Sequence, residues 1–281
     1  MKERSKKIII SVTNDLVGDH RVHKTALSLM KFGYEIILVG RKLRESLQLD
    51  RPYKIKRMRL LFRKSVLFYA EYNLRLFFYL LFQKVDIFLS CDLDTLLANF
   101  AVSKIRNKVL VYDSHEYFTE VPELIGRPKV KNIWEKIEGK RLPKIKYSYT
   151  VCKSISDAYK RKYGIEMQVI RNIPKCEDLI KSDENFLPNN FANKKIILYQ
   201  GSLNVGRGLE ETVEAMKYVG GAVFIIIGDG DIKNDLIRKV KEEQLKDKVH
   251  FTGKIPFSKL SVYTQTADIG ISLEKNLGLN Y

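Results

Sequence analysis

The sequence is poor in cysteine and proline and has no long apolar run, and each shortage excludes a class of protein. Its three cysteines, Cys91, Cys152 and Cys176, are widely spaced and form no CxxC, so neither a disulfide framework nor a zinc site is expected and a reducing cytosol fits best. With 7 prolines, 45% hydrophobic and 30% charged residues, the protein is neither fibrous nor disordered. After the basic start MKERSKK the only apolar stretch is Ile8–Val12, too short for a signal peptide, so it reads as a first strand and export is not expected. The richest apolar segment, 61–84, is interrupted by Arg63, Lys64, Arg75 and Lys84 and falls short of the roughly 18 apolar residues of a bilayer span. Short repeats and low-complexity tracts are also missing.

Acidic residues are scarce in one half only. Residues 1–170 hold 34 Lys and Arg against 18 Asp and Glu, whereas residues 171–281 hold 16 against 15, so nearly all of the net charge of +17 lies in the first part. Such asymmetry suits a domain laid on an anionic membrane, at about 1 kcal/mol per basic residue near lipid, and solubility alone explains it equally well. A nucleic-acid partner is not expected, because no aromatic-basic recognition motif accompanies the lysines. The aromatic and basic segment 61–84, with Leu67, Phe68, Leu74, Phe77, Phe78 and Leu81, either lies on such a surface or packs on a sheet.

What is present is alternation. The 281 residues suffice for two α/β domains. Strand-like runs at 7–12, 34–40, 53–60, 85–90, 108–113, 148–152 and 167–172 are separated by helix-like segments at 20–32, 61–84, 92–104, around Trp134 and 154–164. After a Pro-containing polar stretch, strands at 195–200, 221–228, 248–253 and 267–273 alternate with helices at 208–219, 231–245 and 257–266. The sequence therefore predicts an α/β fold of two Rossmann-like domains, 1–172 and 196–281, with a linker at 173–195. The second half has four strands where such a domain has five or six, so it is expected to be incomplete, truncated at its C-terminus.

Three stretches carry the chemistry. In LYQGSLNVGRGLEETVEAM (198–216) a strand ends at Gly201, Gly206 and Gly208 loosen a loop, and a helix begins near Leu209; such a loop either cradles phosphate on backbone N–H groups, with Arg207 adding a fork, or is an ordinary strand-to-helix turn. The glycines of GDG (228–230) let backbone approach a ligand, with Asp229 a helix cap. In DSHEYF (113–118) His115 stands at a strand's carboxyl end, where a neutral imidazole either meets a sugar hydroxyl or satisfies loop carbonyls. Asp-x-Asp in CDLD (91–94) reads as helix capping, with Asp92 a weaker acceptor-side candidate. His20 and His23 read as solvated.

The stretch 198–273, including FIIIGDGDIKNDLI and VHFTGKIPFSKLSVYTQTADIGISL, resembles the retaining GT-B glycosyltransferases of family four (glycosyl transferases group 1 type). The resemblance implies two Rossmann-like domains facing a cleft and transfer of a sugar, in the manner of a hexosyltransferase, from a nucleotide-diphosphate sugar to a saccharide or lipid-linked acceptor in cell-surface polysaccharide synthesis. It implies a donor site of Gly201, Ser202, Arg207, Gly208, Gly228, Lys254 and Ile255, an acceptor or diphosphate loop of Gly18, Asp19 and Arg21, and His115 near the reacting carbon. No metal or other cofactor is implied. The location it suggests is the cytoplasm, peripheral to the inner face of the plasma membrane. The sequence departs from the family in having Ser202 where many members carry Arg, and Arg207 where they carry Lys. The family's paired glutamates eight positions apart have no assigned equivalent, since Glu274 would pair with position 282, and these 281 residues are expected to be inactive on their own. The alternatives are a sugar-nucleotide epimerase of the same fold and a non-catalytic nucleotide-binding remnant.

Overall fold

The computed structural model of the protein describes residues 5–121, 124, 126–173, 194–276 and 280. It divides into two compact units on either side of Ile173. Most of the predicted linker, with Cys176, lies outside the described residues.

The first unit runs β1 (Lys7–Asp15), α1 (His20–Lys31), β2 (Glu35–Arg41), β3 (Lys54–Met58), α2 (Ser65–Leu81), β4 (Ile87–Cys91), α3 (Leu96–Ile105), β5 (Val109–Ser114), α4 (Pro128–Arg141), β6 (Tyr147–Thr150), α5 (Lys153–Tyr163) and β7 (Gln168–Val169). Its strands form one seven-stranded sheet in the order β3-β2-β1-β4-β5-β6-β7. Every pairing is parallel. Because β1 is central, its apolar run is buried on both faces, and Ile8–Val12 are all in the core. One face packs Ile9, Val39, Phe88 and Tyr112 against α2 through Tyr72, Leu76 and Leu80. The other packs Ile8, Ile10 and Leu38 against Val22 and Ala26 of α1.

The second unit runs β8 (Lys195–Gln200), α6 (Leu209–Ala215), β9 (Ala222–Ile227), α7 (Lys233–Glu242), β10 (Val249–Gly253), α8 (Phe257–Thr266) and β11 (Ile269–Gly270). Its sheet has the order β10-β9-β8-β11, again parallel throughout. All six residues of β9 are buried.

Differences from the sequence expectation have local causes. The helix expected over 61–84 starts only at Ser65, because the Glu71 carboxylate accepts the N–H groups of Leu61 (2.9 Å) and Phe62 (2.9 Å) and holds them in a preceding turn. The helix expected over 208–219 ends at Ala215, where tighter bonds from Lys217 N–H to Glu214 (3.1 Å) and Tyr218 N–H to Ala215 (3.0 Å) take over. The strand expected over 267–273 pairs with β8 only at Ile269 and Gly270.

Candidate functional site

In an open parallel sheet, ligands gather outside the carboxyl ends of the strands where the strand order reverses. The first sheet reverses between β1 and β4, and the second between β8 and β11. Both places carry unusual local structure.

At the β1/β4 reversal, four titratable side chains converge. Asp92 and Asp94 follow β4, and Asp113 and His115 end β5. The His115 ring sits between two carboxylates, Nε2 at 2.7 Å from Asp113 Oδ2 and Nδ1 at 3.4 Å from Asp92 Oδ2. The Asp92 carboxylate also accepts the His115 backbone N–H (2.8 Å), and Tyr149 of β6 donates to Asp113 (2.7 Å). Asp94 accepts a hydrogen bond from Thr13 of β1. Asp92 has φ +58°, a left-handed backbone uncommon for a residue with a Cβ. That backbone lets its N–H donate to the Asp113 carbonyl (2.8 Å) while its carboxylate meets His115.

Burial sets the electrostatics. It opposes charge on His115, but the Asp92 charge and the hydrogen bond and charge of Asp113 outweigh it and hold the imidazole above its ordinary value. Burial lifts Asp92, more than His115 lowers it. Burial and then the Asp92 charge push Asp94 up to about 7, against the Thr13 hydrogen bond. The expectation of a neutral His115 imidazole is thereby corrected: both ring nitrogens face carboxylates, which favours the imidazolium. Arg21 donates to the His115 carbonyl (3.3 Å), while its second terminal nitrogen is buried without a partner. Asp94 Oδ1 and Asp113 Oδ1 are likewise buried and unused. One donor and two acceptors thus keep unspent hydrogen-bonding capacity beneath the cluster.

Cys91, Asp113 and His115 bring potential metal-ligand atoms within 4.8 Å of one another. Burial, then the Asp113 charge, pushes the Cys91 thiol well above its ordinary value.

The neighbouring sequence candidates divide. Arg21 belongs to this cluster. Asp19 caps α1 instead, accepting from Val22 N–H (3.0 Å) and from Asn14 (3.2 Å). Gly18 lies in open space. Asp92, whose sequence position suggests mainly a cap, makes no side-chain cap bond and faces His115. His23, expected to be solvated, instead bonds the Tyr53 hydroxyl (2.7 Å). Asp94, Asp113, Tyr149 and Thr13 join the cluster without having stood among the sequence candidates; the one signal for them is a carboxylate placed directly after a buried apolar strand, twice.

At the β8/β11 reversal the site is built from backbone. Gly201 donates its N–H to Ile227 (3.0 Å), and a Cβ on Gly228, at φ +142°, would stand 1.8 Å from the Gly201 carbonyl. Gly208, at φ +65°, caps α6 so close to Leu273 that a Cβ would stand 2.2 Å from its carbonyl. Only glycine fits at either position. Arg207, expected to face phosphate, is instead paired with Glu274. The first turn of α6 carries Glu210 and Glu211, so the helix start already faces its own carboxylates. Lys254 is 80% exposed, 4.0 Å from Asp229. The Ile255 side chain packs on the apolar face of the sheet, and the Ser202 carbonyl accepts from Tyr199 (2.8 Å). Asp229 turns back to the neighbouring Gly230 N–H (3.0 Å) and does not cap α7.

Residues 181–276 match the family described as Glycosyl transferases group 1. A comparison with curated proteins finds no match. Among solved structures, the sucrose-phosphate synthase of Thermosynechococcus elongatus is similar at TM-score 0.74 and 16% identity, over 95% of this protein and 75% of that one. HepE of Anabaena, solved with UDP and glucose, is similar at TM-score 0.67 and 13% identity, over 96% and 74% of the two proteins. A Listeria monocytogenes protein assigned as a UDP-N-acetylglucosamine 2-epimerase is similar at TM-score 0.61 and 11% identity, over 95% and 74%. At these identities the likeness establishes the fold. The protein is glycosyltransferase-like and of GT-B fold, two Rossmann-like units of which the second contains most of the stretch, 181–276, that matches the glycosyl transferases group 1 family.

Proposed function

We propose that the protein transfers a glycosyl group from a nucleoside-diphosphate sugar to a saccharide or lipid-linked acceptor, with the donor diphosphate held by the second unit. The carrying observation is that the group 1 match covers the β8/β11 reversal, where Gly208 and Gly228 let loop backbone pack directly on the backbone of Leu273 and Gly201 at the carboxyl ends of the strands. HepE, with UDP bound, supports a nucleoside diphosphate as the ligand. Arg207 would exchange Glu274 for a phosphate oxygen, with Ser202, Lys254 and the backbone at Ile255 beside it. In the step itself the bond from the anomeric carbon to the diphosphate oxygen breaks, and its electron pair leaves with the diphosphate. The acceptor hydroxyl oxygen bonds to that carbon and its proton passes to the departing phosphate, on the retaining course the family resemblance suggests. Positive charge beside the leaving group is sufficient for such chemistry, and no metal is required by this reading.

In the first unit, Arg21 and the unused oxygens of Asp94 and Asp113 would hold acceptor or sugar hydroxyls, and the His115 imidazolium would balance the carboxylates around it. The positive excess of residues 1–170 fits a seat on an anionic membrane surface, in a cytoplasmic protein serving cell-surface polysaccharide synthesis. An epimerase of the same fold is the second reading, favoured by the Listeria likeness. Incubating the protein with radiolabelled nucleotide-sugars and a membrane extract tests both. Label in the extract supports transfer and overturns the expectation that these 281 residues are inactive on their own, label in an epimerised nucleotide-sugar supports the second reading, and binding alone overturns both and supports the non-catalytic nucleotide-binding alternative.

A further inference from the structure

The carboxyl ends of β2 and β3, in the first unit, open into a cavity of about 530 Å³ remote in sequence from the carboxylate cluster, a size suited to a small ligand. Five cations line it: Arg41, Lys42, Arg44, Arg59 and Arg63. No carboxylate is among its lining residues, and none of the five has an ion pair among the described residues. Adjacent cations behave differently, Arg57 pairing with Asp15 (2.7 Å) and Arg75 with Glu71 (2.8 Å). Glu71, the acidic group nearest in sequence to Arg63, is consumed by Arg75 and by the N–H groups of Leu61 and Phe62. Arg41 lies with its guanidinium carbon 5.0 Å from the centre of the Phe68 ring, and its Nε is buried without a hydrogen-bond partner. α2 starts beside the cavity with no side-chain cap, so its positive end adds to the field. Five like charges around one cavity, two of them half-buried, favour an anion inside it.

The same place is apolar on its outer side. Leu61 and Phe62 line the cavity and are exposed, and Leu67, Leu74, Phe78 and Phe82 continue outward along one face of α2 at 54%, 59%, 54% and 77% exposure. The opposite face of α2, through Phe68, Tyr72, Leu76 and Leu80, is buried in the core. A helix whose function is only to cover a sheet has a polar outer face. Cations at one end of an exposed apolar stripe match a ligand with a phosphate at one end and hydrocarbon at the other.

We propose that this cavity seats the phosphate headgroup of an anionic lipid, with the outer face of α2 lying in the boundary between headgroups and acyl chains. The inference deepens and rests on the membrane-surface part of the proposed function, and is independent of glycosyl transfer, so absence of transferase activity leaves it standing. No helix among the described residues is long and apolar enough to cross a membrane, which is consistent with a helix lying flat.

Vesicle sedimentation of the whole protein tests it, using phosphatidylcholine vesicles with and without phosphatidic acid. The substituted pair Arg59→Gln with Arg63→Gln removes cavity charge. The charge-matched pair Lys104→Gln with Lys146→Gln removes it from the end of α3 and the approach to β6, at the amino ends of the strands. The pair Leu74→Ser with Phe78→Ser removes the stripe. The parent should sediment with phosphatidic acid vesicles only, and the cavity and stripe pairs should each bind about tenfold more weakly or worse, whereas the matched pair stays within about twofold. Equal loss in the cavity and matched pairs would show diffuse charge attraction and overturn the proposal. Calorimetric binding of inorganic pyrophosphate that the Arg59→Gln with Arg63→Gln pair abolishes, without vesicle binding, would assign the cavity to a free anion, and binding of RNA that the same pair abolishes, without vesicle binding, would assign it to nucleic acid; either result overturns the lipid.

Discussion

The two units place a reversal of strand order at corresponding points, yet fill them in opposite ways. In the first unit the β1/β4 reversal is crowded with buried and half-buried titratable side chains, three aspartates and a histidine, beside an arginine. In the second the β8/β11 reversal is shaped by glycines and edged by exposed or half-exposed ion pairs. Side chains that share protons make a site whose charge responds to pH, whereas backbone N–H groups hold a fixed dipole at any pH. On the proposed function, the first unit would recognise hydroxyls and the second would grip a diphosphate whose charge varies little.

The largest expected effect is structural and falls on the second unit. Gly228→Ala brings a Cβ to 1.8 Å of the Gly201 carbonyl at a φ that side chains avoid, and should destabilise that unit by about 3–5 kcal/mol in urea denaturation. Gly18→Ala in the first unit meets nothing within 4 Å and should change stability by less than about 0.5 kcal/mol. Equal effects would break the contrast between a glycine-built and a side-chain-built site.

Next is His115→Gln, which leaves Asp92 and Asp113 without their shared cation. Transfer should fall by about a hundredfold or more, while affinity for UDP measured by calorimetry stays unchanged. Loss of UDP affinity with transfer per bound donor intact would place the histidine on the wrong side of the comparison.

A third effect is a pH slope. Asp94 is lifted from 3.8 to about 7, so its proton stabilises the folded state fully below about pH 4 and that contribution is lost as pH rises through 7. Asp92 and His115, also raised, act in the same direction. Stability of the first unit should therefore decline between pH 4 and 8, and Asp94→Asn should remove on the order of 2 kcal/mol of that decline. An identical slope in the variant would show that Asp94 titrates as it does in the unfolded state.

The smallest effect concerns Arg207. Its pair with Glu274 is about one-third exposed on each side, so it contributes at most about 1 kcal/mol. Glu274→Gln should break that pair and raise affinity for UDP about threefold, and lowered affinity would mean that Glu274 itself helps hold the ligand.

Much of the fold is legible in the sequence because parallel α/β architecture writes itself in alternation: the apolar runs at 7–12 and 195–200 are strands in the structure, and the helix expected at 257–266 has those bounds. The glycines of the second site are equally legible, since a residue without a Cβ announces a close approach. The first site is only half visible. Whether Asp92 caps a helix or faces His115 depends on a single left-handed φ, and no residue type encodes that choice. The Arg207–Glu274 pair spans 67 positions and depends on β11 lying beside β8, a tertiary fact.

Titration calorimetry with UDP, ADP and GDP at pH 5.5 and pH 8, on the parent, His115→Gln and Glu274→Gln, tests the central claim most directly. At least one diphosphate should bind with the same affinity at both pH values, unaffected by His115→Gln and strengthened by Glu274→Gln. Binding that disappears with His115→Gln and varies with pH, or no binding of any of the three, would contradict a donor site built by the glycines of the second unit.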